Sequence, residues 1–157
     1  MKHSGGEWII IRSVLFILVS TTLYLSYFFV ADAVSPSDLV ILRLQITGGT
    51  GQTDKDFITI YNKSSSAIDL NGLRLVKRTK TTPVDTTIKS WVNPYYLDPG
   101  SVFMWANSNY SLLLGAHTQS THTLSNDNSI AIRSGAENTG EIIDAVGWGS
   151  LQNSLWE

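Results

Sequence analysis

From Leu39 onward the chain alternates short apolar stretches with polar turns, and no segment after Pro36 carries the 3.6-residue period of a helix. Leu39 to Ile46 is almost continuously apolar, which predicts a strand with both faces partly covered, ended by the Gly48-Gly49-Thr50-Gly51 cluster. Phe57 to Asn62 has period two: Phe57, Thr59 and Tyr61 share one face, Ile58 and Ile60 the other. Ser64 to Ser66 is a loop, and Ala67 to Leu70 a short extended piece. Asn71-Gly72 then suits a turn that needs positive φ, and Leu73 and Leu75 resume the alternation with Arg74 between them and Lys77 beyond. A hairpin-like corner is expected there.

After the polar stretch Arg78 to Val84, Asp85 to Val92 again alternates and is broken by Asn93-Pro94. Leu97 to Gly100 reads as a turn, Ser101 to Ala106 as a buried strand, and Asn107 to Ser120 as a long loop with one apolar stretch at Leu112 to Leu114. His122 to Leu124 predicts a short strand, Asn126 to Asn128 a turn, Ser129 to Arg133 a strand, and Ile142 to Trp148 a last strong strand. Eight or so short strands separated by turns, with no repeat of fixed period, predict an all-β chain folded as an immunoglobulin-like β-sandwich over residues 39–157.

Ahead of this domain, Trp8 to Val30 is apolar apart from Arg12 and a few hydroxyl residues, and predicts one N-terminal hydrophobic helix. Residues 1–33 are expected to be a signal peptide cleaved after Ala33, whose small neighbours suit a signal peptidase, or an uncleaved membrane anchor with its N-terminus in the cytoplasm. Residues 34–38, VSPSD, form a short linker in which Pro36 stops any helix. Either way the domain is expected outside the cytoplasm, secreted or periplasmic after cleavage, or anchored and facing outward. Gly6-Glu7 before a long apolar run also resembles a pilin leader, but Glu7 directly follows Gly6 where such leaders place a glutamate further in.

The formal net charge is −2, and residues 1–33 carry Lys2, Arg12, Glu7 and Asp32, so the remainder is also −2. That balance argues against nucleic acid as a partner. Without cysteine there is no disulfide framework, no thiolate nucleophile and no cysteine-based metal site. The domain must rest on an apolar core, to which Trp91, Trp105 and Trp148 can supply bulk, while Tyr95 and Tyr96 beside Pro94 are expected to be exposed.

Candidate chemistry is sparse. Asp54 and Asp56 could offer oxygens to calcium, with Asp127 from a distant loop, but calcium takes about six or more oxygens, and a solvated turn is the plainer reading. Lys77, Arg78 and Lys80, with Lys89 beyond, form the only basic cluster and could meet phosphate groups of DNA, lipid or a cell-surface polymer; strand-edge charges that discourage sheet pairing explain them better. The surface most open to a partner is the loop Thr53 to Asp56 with the strand end Lys77 to Lys80, where alanine substitution is expected to leave folding intact. His117 and His122 have no third ligand or acidic pair and read as surface residues. No serine lies in a nucleophile elbow, so no catalytic residue and no cofactor is assigned. Asn62-Lys63-Ser64 and Asn109-Tyr110-Ser111 match the glycosylation acceptor pattern.

Five ordered segments resemble the lamin tail domain: Asp56 to Asn62, Ile68 to Leu75, Leu97 to Gly100 with Val102 to Trp105, Leu124 to Ile132, and Ile142 to Trp148. The resemblance spans about Leu39 to Trp156, with Thr59 where family members often carry glutamate and Leu73 where they often carry tryptophan. It implies an immunoglobulin-like, non-catalytic adhesion or scaffold module, of a type found in exported prokaryotic proteins, acting on an unknown protein or cell-surface polymer. No heptad rod precedes the domain, so filament formation does not carry over. Two other readings stand beside it: a pilin-like or surface-assembly subunit, and the accessory domain of a truncated secreted nuclease or hydrolase.

Overall fold

The computed structural model describes residues 38–47, 50–110, 115–150 and 155. The predicted N-terminal helix, the cleavage position at Ala33 and the linker up to Ser37 lie outside the described residues. Within them the chain is all β, in ten strands: β1 (Leu39–Gln45), β2 (Phe57–Asn62), β3 (Ile68–Asp69), β4 (Leu73–Thr79), β5 (Thr86–Ser90), β6 (Tyr96–Leu97), β7 (Val102–Asn107), β8 (Thr118–Ser120), β9 (Asn128–Ser134) and β10 (Glu141–Trp148). One sheet runs β1-β2-β7-β8, the other β10-β9-β4-β5, and β3 pairs with β6 in a two-stranded ladder. All pairs are antiparallel except β7 with β8.

Period two decides what each sheet buries. In the first sheet Ile60 faces Phe103 and Ile58 faces Trp105 across the ladder; in the second, Leu75 faces Ile132. These side chains form one core with Leu39, Ile130 and Trp91 between the sheets. Trp105 is fully buried, and its indole N–H donates to the Ser120 hydroxyl at 2.9 Å, which satisfies its one polar atom. Trp91 is buried as well, and Trp148 packs partly buried against the same core.

The edge strands β1 and β10 meet at bulges, between Ile41 and Arg43 in one and between Ile142 and Asp144 in the other. The Asp144 carboxylate accepts the Ile41 N–H at 2.7 Å, occupying an edge amide that would otherwise template another strand.

Three predicted elements are corrected. The hairpin-like corner is a corner only: Gly72 has φ of 83° and the Leu73 N–H donates to Leu70 C=O at 2.9 Å, but Asn71 is not at positive φ. A turn with a single left-handed residue in this place splays its flanking strands, so β3 and β4 join different sheets. The expected strand His122 to Leu124 is irregular because side chains take its backbone groups: Asn107 Nδ2 donates to His122 C=O at 2.9 Å, and the Leu124 N–H donates to Asp56 at 2.7 Å. The strand lies earlier, at β8, inside the expected loop. The expected turn Leu97 to Gly100 begins with the end of β6, whose Leu97 opposes Ile68.

The outer face of the second sheet is also covered. Val76 and Ala131, both fully buried, pack with Leu155 and with Ile142 and Ala145. Leu155→Ala is expected to cost about 2–3 kcal/mol, the range for a buried leucine with partial collapse of the space left. Urea unfolding followed by tryptophan fluorescence reads this, and an unchanged midpoint would show that Leu155 contributes nothing to the cover.

Candidate functional site

The chain enters β1 at one end of the sandwich, where Asp38 C=O accepts the Lys63 N–H at 2.9 Å. The other end gathers the β1–β2 connection, the start of the β7–β8 connection, the segment 121–127 and the residues after β10. A cleft of about 240 Å³ opens there, lined by Thr47, Thr53, Thr123, Leu124, Ser125 and Asn126. Its walls thus offer hydroxyls and an amide, with a single apolar side chain.

Beneath it lies Asp56, fully buried just before β2. Its Oδ2 accepts the Leu124 N–H at 2.7 Å, its backbone C=O accepts the Asn107 N–H at 2.9 Å, and its Oδ1 has no hydrogen-bond partner. Burial pushes the carboxyl up to about 6, against the opposing pull of the Leu124 N–H and of Lys77. Lys77 shares the inward parity of Leu73 and Leu75 and donates from Nζ to Thr123 C=O at 2.6 Å; burial lowers its pKa. Burial and then the Lys77 charge lower that of His122, which is half-buried rather than on the surface.

The surrounding loops are pinned by side chains. Asp54 accepts from Asn109 Nδ2 at 2.8 Å, Lys55 Nζ donates to Asn109 C=O at 2.9 Å, and Gln45 Nε2 donates to Lys55 C=O at 2.6 Å. Asp127 accepts the Ser150 N–H at 2.6 Å and faces Lys80 Nζ at 3.7 Å. Gly149 must be glycine here: its φ is 78°, and a Cβ would stand 2.2 Å from Asn126 C=O.

The loops carrying Asp54, Asp56 and Asp127 therefore do meet, but their carboxylates face Asn109, Leu124 and the Lys80–Ser150 pair separately. Among the described residues no group of three His, Cys, Asp or Glu could hold a metal ion. Nor do Lys77, Arg78, Lys80 and Lys89 make one patch. Lys77 points inward, and Lys89 lies over the Trp91 ring at 5.9 Å. Arg78 donates from Nε and Nη2 to Asp85 Oδ1 at 3.0 and 2.7 Å, while Arg133 Nε donates to Oδ2 at 2.6 Å. The expectation that alanine at Asp56 or Arg78 spares the fold is corrected, because one is a buried acceptor for the loop and the other counters a buried carboxylate.

The Lamin Tail Domain family model matches residues 33–150. The chain belongs to the lamin tail domain family. No curated protein matches it. The lamin tail domain is an immunoglobulin-like, non-catalytic module, and the two-sheet architecture here agrees with it.

Two motifs of this lamin tail domain have plain structural duties. Asn62 is fully buried, and its Nδ2 donates to Ser66 and Leu97 carbonyls, both at 2.8 Å, so it is closed to glycosylation, whereas Asn109 is exposed. His117 is exposed but stacks on Phe103 at 5.3 Å and accepts the Met104 N–H at Nδ1, 3.0 Å. The Asp85–Arg78–Arg133 cluster was not legible in the sequence, since Arg133 looked like the end of an ordinary alternating strand.

Proposed function

We propose that this lamin tail domain is an extracytoplasmic interaction or scaffold module, held at the membrane by its N-terminal apolar segment or released by cleavage near Ala33, and that its partner meets the end of the sandwich away from Asp38. The observation that supports this most is the cleft at that end, whose walls are fixed by the Asp56–Leu124 and Asp54–Asn109 hydrogen bonds and present hydroxyls and an amide to solvent. Preformed loops on a rigid sandwich are the usual place for recognition in such folds. A neutral, hydroxyl-lined wall suits a protein or a cell-surface polymer better than nucleic acid, which needs a field of positive charge.

Intact mass and N-terminal sequence, taken from membrane and soluble fractions of an expressing bacterium, test the placement. A start at Val34 in the soluble fraction means a secreted or periplasmic module, and an intact start in the membrane fraction means a tethered one. Intact protein confined to the cytosol overturns the reading.

A further inference from the structure

The end of the sandwich at which the chain enters carries an unusual share of exposed apolar surface. Of the six large apolar or aromatic side chains exposed among the described residues, four lie there: Val92 at 77%, Tyr96 at 66%, Val102 at 38% and Tyr95 at 36%. Connectivity brings them together. Tyr96 opposes Asp69 in the β3–β6 ladder, Val102 opposes Tyr61 in β2, and Asn62 ties the two by donating to Leu97 C=O while its own N–H donates to Ser101 C=O at 3.1 Å. The next strand across from Tyr61 holds Val40, which continues the apolar row.

This surface is preformed. The Tyr95 N–H donates to Asp69 Oδ1 at 3.0 Å, its C=O accepts the Leu70 N–H at 2.9 Å, and its ring packs edge-on against buried Phe103 at 5.4 Å. Tyrosines anchored to a core with one face in water are the residues that settle at a membrane interface, where an apolar ring and a polar tip are both accommodated.

We infer that this face, Val92, Tyr95, Tyr96 and Val102, rests on the surface of the lipid bilayer that holds the N-terminal segment. The inference depends on the tethered form of the proposed function. The apolar run ends at Val30, so eight residues reach Asp38, and a fully extended chain of that length spans at most about 28 Å. The tether therefore keeps this end of the domain beside the bilayer. Lys63 and Lys89 are outnumbered here by Asp38, Asp69 and Asp98, so attraction to anionic lipid is not the source of the contact. The surface is that of a zwitterionic phospholipid, and the contact is insensitive to salt. The cleft at the opposite end then faces away from the membrane, available to a partner.

Because the chain has no cysteine, a single introduced one is a unique label position. The full chain carrying a nitroxide at Val92→Cys, or at Asn126→Cys beside the cleft, is reconstituted into phosphatidylcholine vesicles. Collision with a water-soluble nickel complex and with oxygen is then read by power saturation, at low and high salt. The expected result is nickel accessibility several-fold lower at position 92 than at 126, with oxygen accessibility raised at 92 and no change with salt. Equal aqueous accessibility at both positions on vesicle-bound protein overturns the docking and leaves the tether standing. Dipolar coupling between two position-92 labels overturns it in favour of a second copy covering the face. Protein that does not float with the vesicles overturns the tether itself, and the docking with it.

Discussion

Asp85→Ala is expected to remove about 3–5 kcal/mol of stability, the cost of stripping the counter-charge from a buried ion pair. The Asp85 side chain is fully buried and uses both oxygens: Oδ1 accepts from Arg78, Oδ2 from Arg133 Nε and from the Asn138 N–H at 3.1 Å. Its own N–H donates to Asn138 Oδ1 at 2.5 Å, so the same residue also holds the loop before β10. Without it, Arg133 stays buried on the outer face of the second sheet with Arg78 nearby and the carboxylate that paired with both removed. A domain whose whole stability is about 5–15 kcal/mol loses a large share of its margin in this way. Asp85→Asn keeps the shape and one acceptor but not the charge, and should fall between. Replacing Asp85, Arg78 and Arg133 together by apolar residues of similar volume should cost far less than the single change, because the desolvation of all three charges is then avoided. Urea unfolding of the three variants decides the matter; a loss from Asp85→Ala no larger than that of the triple variant would sink it.

How much of this was legible in the sequence depends on range. The β2 bounds, the left-handed Gly72 and the ends of β9 and β10 within a residue follow from alternation and turn chemistry, both local. Parity on β4 also carries a signal: Leu73, Leu75 and Lys77 share one face, so the lysine has to point inward with the leucines, and it does. What local pattern cannot say is which outward face is covered by something distant. Val76 and Ala131 are outward by parity, yet Leu155 buries them, and Arg133 is outward yet meets a carboxylate 48 residues away. The same holds at the cleft. Asp56 reads as a loop carboxylate because its hydrogen-bond partner, the Leu124 N–H, lies 68 residues away. The basic cluster looks continuous because Lys77, Arg78 and Lys80 are close in sequence, whereas a strand sends neighbours to opposite faces and Lys89 belongs to β5.

Asp56 makes the second prediction, a dependence of stability on pH that runs opposite to the usual one for an acid. Most carboxylates in folded proteins are held below their ordinary value and stabilise the fold as pH rises; Asp56 is raised from 3.8 to about 6, chiefly by burial. The folded state therefore holds its proton over a range in which the unfolded state has released it. Its contribution is fully present below pH 3.8, declines as pH rises, and is lost above about 6. A shift of this size amounts to at most about 3 kcal/mol. Asp56→Asn keeps an oxygen for the Leu124 N–H and does not titrate. The stability of the variant minus that of the parent should thus become more favourable by up to about 3 kcal/mol between pH 4 and pH 7. Taking the difference cancels the other groups that titrate in this range. Asp56→Ala, which leaves the Leu124 N–H unpaired, should be destabilised by about 1–3 kcal/mol at acid pH, where the parent acid is protonated and accepts that N–H at Oδ2. A difference between Asp56→Asn and parent that stays flat with pH would falsify the raised carboxyl. Leu124 is a wall of the cleft, and its N–H favours the ionised carboxylate, so the loss of stability above about pH 6 comes from burying the charge and not from the Leu124 contact.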